Sequence, residues 1–139
     1  MKKTLIIACA ATALSACTTT HKTELTSSQS FQVEWIGERP LIDSSMLTLR
    51  LTDDKQAAGL AGCNNWSANY QLNGTSFSLS DIATTRKLCA PALMEQEQRF
   101  LAHLARVQRW ELSEHQQLLL WPEQGEPIKL WPIENQRDN

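Results

Sequence analysis

Glu97 is the residue of this chain whose position best suits acid–base chemistry. It falls on the apolar stripe of a predicted helix that also contains Met94, and a carboxylate there is costly unless it is paired or hydrogen-bonded. One interpretation is a general acid or base. The other is a structural carboxylate bonded to Arg86 or to main-chain donors near Asn64. No second positioned carboxylate accompanies Glu97, and the Thr85 hydroxyl lacks the His and Asp of a catalytic triad. We therefore expect a structural role.

The rest of the sequence contains no motif of the common enzyme classes. There is no phosphate-binding loop, zinc motif or nucleophile elbow, so we expect neither enzymatic activity nor a cofactor. The 139 residues carry a net charge of −2 without a basic patch, and nucleic acid is therefore not an expected partner.

The N-terminus has the residue types and spacing that precede covalent lipid attachment. Lys2 and Lys3 precede an apolar run of about ten residues, whereas a membrane-spanning helix needs about twenty. The sequence Leu14-Ser15-Ala16-Cys17 resembles a bacterial lipobox, which implies removal of residues 1–16 and acylation of the cysteine. The alternative is a secreted protein with an accidental cysteine. In lipoproteins an aspartate at the next position signals inner-membrane retention, so Thr18 favours the outer membrane, facing the periplasm.

Two further cysteines remain for the folded part of an exported chain. Cys63 and Cys89 would meet an oxidising compartment, where two leftover thiols usually pair. Such a bond would stabilise the fold by about 3–4 kcal/mol in the chain-entropy model. Two separate buried thiols are the alternative. A metal site is less favoured, because there is no CxxC spacing and the histidines are scattered at His21, His103 and His115.

Alternation of apolar and polar residues predicts the strands that position these side chains. Three segments alternate with period two; they are Phe31–Trp35, Leu47–Leu51 and Trp66–Leu72. The pair Asn73-Gly74 then predicts a hairpin into Phe77 and Leu79. Phe31, Val33 and Trp35 are expected on one core-facing side.

A change to helical spacing follows. Pro91 suits a first helical turn, and apolar residues recur at three- and four-residue intervals to about Ala105. Three short strands are predicted after it; they are Gln108–Leu112, Leu118–Trp121 and Ile128–Trp131. This order predicts an α+β domain, a mostly antiparallel curved sheet or partly open β-barrel with one packed α-helix.

Five tryptophans are numerous for this length, and they lie in or at the start of predicted strands. They are Trp35, Trp66, Trp110, Trp121 and Trp131. Core packing is the expected role, and an aromatic-lined groove for a hydrophobic ligand or peptide is the alternative.

The predicted organisation of the chain has four parts. Residues 1–16 are a lipoprotein signal peptide, and residues 17–30 are the lipidated cysteine and a flexible tether, because that stretch is polar and rich in Thr and Ser. Residues 31–134 form the domain, and residues 135–139 are a tail.

Two segments of the chain carry a resemblance to a known family. The first contains Gly62-Cys63-Asn64 followed by Trp66 and Tyr70, and the second contains Thr85-Arg86-x-x-Cys89 followed by Met94-x-x-Glu97. Their combination is similar to the META domain, also called HslJ-like, over about Trp35 to Trp131. Lys87 departs from the pattern, because its counterpart in the family is often hydrophobic.

The resemblance implies a small antiparallel β domain with one packed helix, and we expect a structural role for the motif residues. It also implies an exported bacterial protein, often a lipoprotein, associated with envelope stress and without enzymatic activity. We therefore expect a non-enzymatic outer-membrane lipoprotein, an envelope-stress or assembly factor that contacts another envelope protein. The alternatives are a carrier of a small hydrophobic ligand or lipid tail and a chaperone like the pilotins of secretins.

Overall fold

The computed structural model describes residues 24–133 of the chain. The predicted signal peptide, the acylation site Cys17 and the tail 135–139 lie outside the described residues. Within residues 24–133 there are nine strands and one helix. They are β1 (Ser30–Ile36), β2 (Arg39–Pro40), β3 (Thr48–Leu51), β4 (Gln56–Leu60), β5 (Asn65–Asn73), β6 (Ser76–Thr84), α1 (Pro91–Leu104), β7 (Val107–Leu112), β8 (Leu118–Pro122) and β9 (Ile128–Pro132).

Eight of the strands close into an antiparallel barrel. Each strand from β3 to β8 pairs with the next along the chain, β1 pairs with β3, and β9 pairs back with β1. The seam between β6 and β7 is the narrowest, with one residue pair, Ser76 with Arg109. β2 adds a short extension beside the end of β1. The α+β prediction is thus confirmed, with the barrel closed.

The barrel interior is the hydrophobic core. Inward side chains from every side of the barrel are fully buried, among them Leu49, Phe77, Leu120 and Leu130. An eight-stranded barrel is just wide enough for its own side chains to fill it. The core is therefore packed with protein side chains.

The helix α1 covers one end of the barrel. Its Phe100 packs edge-on against Trp66 with ring centroids 5.9 Å apart. We call this the helix end, where β1 stops and β5 starts. The chain enters the barrel at the opposite end, at Ser30, and leaves it there as well, because the Ile133 N–H donates to the Ser30 carbonyl at 2.8 Å. We call this the entry end. Within residues 24–133 no helix combines the length and apolar character needed to cross a membrane.

The predicted hairpin and helix are present where the sequence placed them. β5 and β6 pair up to Asn73 and Ser76, which leaves Gly74 and Thr75 as a two-residue loop. The helix runs over Pro91–Leu104. The short strands β2 and β4 were not predicted.

The prediction for Trp35 was wrong. A β-bulge between Val33 and Trp35 shifts the register against β9, and a bulge adds one residue that redirects the side chains after it. Ile36 therefore takes the buried position, 1% exposed, and Trp35 turns to the outer wall, where it lies beneath the Lys129 ammonium.

The predicted tether, residues 17–30, extends too far toward the C-terminus. Leu25 is buried in the core, 4% exposed, and the Ser28 N–H donates to the Leu51 carbonyl at 2.8 Å. Residues 24–29 therefore belong to the folded domain, because a single leucine among polar residues is enough to anchor this stretch on the barrel.

Candidate functional site

The site is built around the buried side chain of Asn64, at the helix end. Gly62, with φ of +103°, turns the chain before it, and a Cβ there would meet the Leu47 side chain at 3.4 Å. The left-handed φ favours glycine at this position. The turn directs Asn64 inward, where it is 2% exposed.

All four hydrogen-bonding positions of the Asn64 amide are occupied. Its Oδ1 accepts from the Lys87 N–H at 2.7 Å and from the Thr85 hydroxyl at 2.8 Å. Its Nδ2 donates to the Lys87 carbonyl at 3.2 Å and to Glu97 Oε1 at 2.8 Å. Because a primary amide has two donors and two lone pairs, Asn64 has no capacity left for a ligand.

Glu97 is held by the same residue. Its second oxygen, Oε2, accepts from the Asn64 main-chain N–H at 2.8 Å, and the residue is 5% exposed. Glu97 thus bonds to a main-chain donor, one of the two expected partners. The other, Arg86, is exposed, and none of the described residues' hydrogen bonds joins it to Glu97.

A disulfide closes the other side of the site. Cys63 and Cys89 are bonded, with their Cα atoms 6.0 Å apart, which confirms that prediction. The bond ties the loop after β4 to the residue two positions before α1. The segment 85–90 is thereby fixed at three places: the Thr85 hydroxyl, both main-chain groups of Lys87, and Cys89.

Leu88 lies between the last two of these fixed points. Its side chain is 93% exposed, although a leucine on a free loop would reduce its contact with water by folding back on the domain. The Asn64 amide on one side and the disulfide on the other hold the backbone so that Leu88 points into solvent.

Other exposed groups lie at the same end of the barrel as Leu88. Met46 is 54% and Leu60 38% exposed. They flank the bridge between Leu47 and Ala61, both of which point inward, so Met46 and Leu60 share the outer face of neighbouring strands. The exposed residues Arg86 and Lys87 precede Leu88 and form no ion pair within residues 24–133. We call Met46, Leu60, Arg86, Lys87 and Leu88 the apex patch.

The remaining motif residues support the barrel rather than the patch. Trp66 is buried and its Nε1–H donates to the Thr48 carbonyl at 3.1 Å. Tyr70 stacks on Phe77 and donates its hydroxyl to the Thr52 carbonyl at 3.0 Å. Met94 is half-buried on α1.

The environment of Tyr70 alters its acidity. Burial raises the pKa of the hydroxyl above its ordinary value of 10.0, and the Asp53 and Asp54 carboxylates raise it further. Both effects disfavour the tyrosinate anion.

The expectation that the tryptophans pack in the core holds for Trp66, which is buried, and for Trp110, which is half-buried and packs against the core opposite Leu120. The other three are half-buried or exposed on the outer wall; they are Trp35, Trp121 and Trp131. Alternation in β9 was a usable signal for Trp131. Ile128 and Leu130 are buried, so Lys129 and Trp131 lie on the opposite, outward face of the strand.

The site offers little to a metal ion. Within residues 24–133 no three His, Cys, Asp or Glu side chains lie close enough to hold one. The arrangement at the helix end fixes the main chain and presents apolar and cationic side chains.

Comparison with known proteins agrees with this fold. A family model described as the META domain matches residues 23–135. No curated protein matches the chain. A solved NMR structure of a protein from Burkholderia xenovorans is similar, with a TM-score of 0.68 and 20% identity, over 78% of this chain and 84% of that one. A second NMR structure has a TM-score of 0.59 and 21% identity, over 74% of this chain and 87% of that one. At these identities the likeness shows the fold.

Proposed function

The chain belongs to the META domain family, and we propose that it is a non-enzymatic lipoprotein of the outer membrane that faces the periplasm. Its task is to bind another envelope protein through the apex patch, as an envelope-stress or assembly factor. The observation that carries the proposal is the exposure of Leu88, held in solvent between the Asn64 amide and the Cys63–Cys89 disulfide.

The placement of the apex patch suits an anchored protein. The chain enters the barrel at Ser30, and the patch lies at the opposite, helix end. An acylated Cys17 would be eight residues from the buried Leu25, a span of at most about 28 Å. The entry end would then face the membrane, and the apex patch would face the periplasm.

The composition of the patch suits a protein partner. Apolar side chains that remain exposed together on a folded surface are typical of interaction sites. Rigid presentation lowers the entropy cost of binding, because the backbone of Leu88 is already fixed. Arg86 and Lys87, without partners of their own in the described structure, would add attraction to an acidic surface.

The site supports a structural rather than a catalytic role for Glu97. Both carboxylate oxygens accept hydrogen bonds from Asn64, and the carboxylate lies under the loop that it holds. The interior of the barrel is filled by core side chains. A lipid tail would have to displace them, which weighs against a carrier.

Site-specific photo-crosslinking in intact cells tests the proposal. A photoreactive residue in place of Leu88 should yield a specific protein adduct, and the same residue in place of Glu114, which is exposed in the turn before β8 at the entry end, should not. Leu88→Asp should abolish the associated cellular phenotype while leaving the melting temperature unchanged. Equal adducts from both positions, or none from Leu88, would contradict a partner at the apex.

A further inference from the structure

A second surface of the barrel has the features of a binding site. A groove of about 510 Å³ runs along the outer wall between Trp35 and Trp131 and is bounded by the loop 40–45. Its volume is within the range of small-ligand clefts. The groove shares no residue with the apex patch. Trp131 lies near the entry end and the loop lies near the helix end, so the groove follows the strands.

The tryptophans of this groove are placed by specific structural features. The β-bulge in β1 turns Trp35 out of the core, and bulges that redirect a side chain are common beside functional sites. Trp35 pairs with Lys129, two residues from Trp131. The indoles are therefore diagonal neighbours on adjacent strands, a spacing that aromatic side chains can bridge.

Glu34, the residue in the bulge, is fixed by two hydrogen bonds. Its Oε2 accepts from the Trp131 Nε1–H and from the Gln117 Nε2–H, both at 2.9 Å. Both donors are neutral, so they orient the carboxylate without cancelling its charge. Within residues 24–133 neither Glu34 nor Asp43, the other acidic residue of the groove, forms an ion pair.

The charge and the aromatic surfaces of the groove define the chemistry of its ligand. None of the residues that line it is a lysine or arginine. Lys129 approaches from outside the groove, with its Nζ 5.6 Å from the Trp35 ring centroid, which marks this indole as a surface that attracts a cation. Pro40, Leu41 and Ile42 add apolar lining.

We propose that this groove binds an extended peptide segment that carries an arginine or lysine beside apolar or proline residues. The basic side chain pairs with the uncompensated carboxylates of Glu34 and Asp43, and its apolar neighbours lie between the two indoles. Aromatic-lined grooves recognise extended peptides in this manner. The proposal does not rest on the function of the apex patch.

Selection from a library of random heptapeptides displayed on phage tests the proposal with the full-length protein. The enriched peptides should share a lysine or arginine next to an apolar residue or proline. Binding of a synthetic enriched peptide should weaken as salt is added, because the charges lie at the surface.

Variants of the groove locate the binding. Glu34→Gln and Asp43→Asn, which remove charge and keep shape, should each weaken the peptide by roughly tenfold, and Trp131→Ala should weaken it as well. Glu38→Gln is the matched control, because Glu38 is exposed near the groove but does not line it, and it should leave binding unchanged. Leu88→Asp should also leave it unchanged.

Three outcomes would overturn the proposal. They are the absence of enriched peptides, enrichment without a basic residue, and binding that survives both charge-removing variants. The last result would assign the peptide to another surface even if the apex patch performs its proposed function.

Discussion

At the scale of single residues, the pair of Asn64 and Glu97 holds the helix end together. Five hydrogen bonds to these two residues, one of them from the Thr85 hydroxyl, connect the loop after β4, the segment before α1 and the helix itself. A buried network of this kind is stable only when every member is satisfied. Removing one partner therefore lowers the free energy of unfolding by more than the hydrogen bonds contributed, because it leaves buried polar groups unsatisfied.

Glu97→Ala should lower the melting temperature clearly, with a loss of about 2–4 kcal/mol in the free energy of unfolding, because each unsatisfied buried donor costs about 1–3 kcal/mol. The substitution leaves a buried amide and a main-chain N–H of Asn64 without an acceptor. Glu95→Ala is the control on the same helix, because Glu95 is exposed and pairs with Arg39 and Arg99 at the surface. Similar, small effects of both would show that the network does not hold the fold.

Alkaline pH should destabilise the protein through Tyr70. The folded-state pKa of this hydroxyl lies above its ordinary value of 10.0, so the folded state retains the proton longer than the unfolded state does. The contribution is fully present below about pH 10 and is lost as pH rises through the folded pKa. Tyr70 is the one tyrosine of the chain, so tyrosinate absorbance should titrate above pH 10 in the folded protein and near 10 in denaturant.

Tyr70→Phe provides the control. It removes the hydrogen bond to Thr52, so it should lower stability near neutral pH. The decrease in unfolding free energy above pH 10 should become smaller in this variant. An unchanged decrease would assign alkaline unfolding to other groups.

At the scale of elements, the sequence predicts the strands and the helix whose apolar residues recur at a regular period. It does not predict an element that depends on pairing with an adjacent strand. The helix α1 and seven strands have clear spacing. β4 lacks it, because Gln56–Leu60 contains alanines and Gly59 rather than alternating β-formers. Gly59 belongs in a strand because β3 approaches closely there, and a Cβ would lie 2.0 Å from the Thr48 carbonyl oxygen.

The position of a bulge is likewise not readable from alternation. Val33, Trp35 and Ile36 are all apolar, and pairing with β9 decides which of them is buried. For the candidate site, the sequence predicted the disulfide and the burial of Glu97. It could not predict the exposure of Leu88, because that depends on Asn64 holding the main chain of a residue distant in sequence.

The disulfide joins two elements, and its loss should lower stability. Replacing Cys63 and Cys89 by alanine should reduce the free energy of unfolding by about 3–4 kcal/mol, given their separation of 26 residues. Denaturant melts with and without reductant supply the measurement. Reductant should destabilise the natural protein and leave the double variant unaffected; an effect on both would implicate another thiol.

At the scale of the whole molecule, the entry end and the helix end divide the roles that we propose. The entry end joins the predicted anchor, and the helix end carries the apex patch. This division depends on acylation of Cys17, which lies outside the described residues.

Metabolic labelling with a fatty-acid analogue should tag the protein, and Cys17→Ser should abolish the tag. Cys9→Ser is the matched control, because Cys9 lies within the apolar run that is expected to be removed, and it should leave labelling intact. An untagged natural protein in membrane fractions would refute the anchor.

The opposite placement of the two ends also determines how the domain would respond to tension. A pull between a partner at Leu88 and a tether at Ser30 acts along the strands, and the interstrand hydrogen bonds lie across them. The ladders between β1 and its neighbours would be loaded in shear, many bonds at once, rather than opened one by one like a zipper. A barrel held in this way is suited to transmit mechanical load between a membrane and a moving partner without losing its first strand.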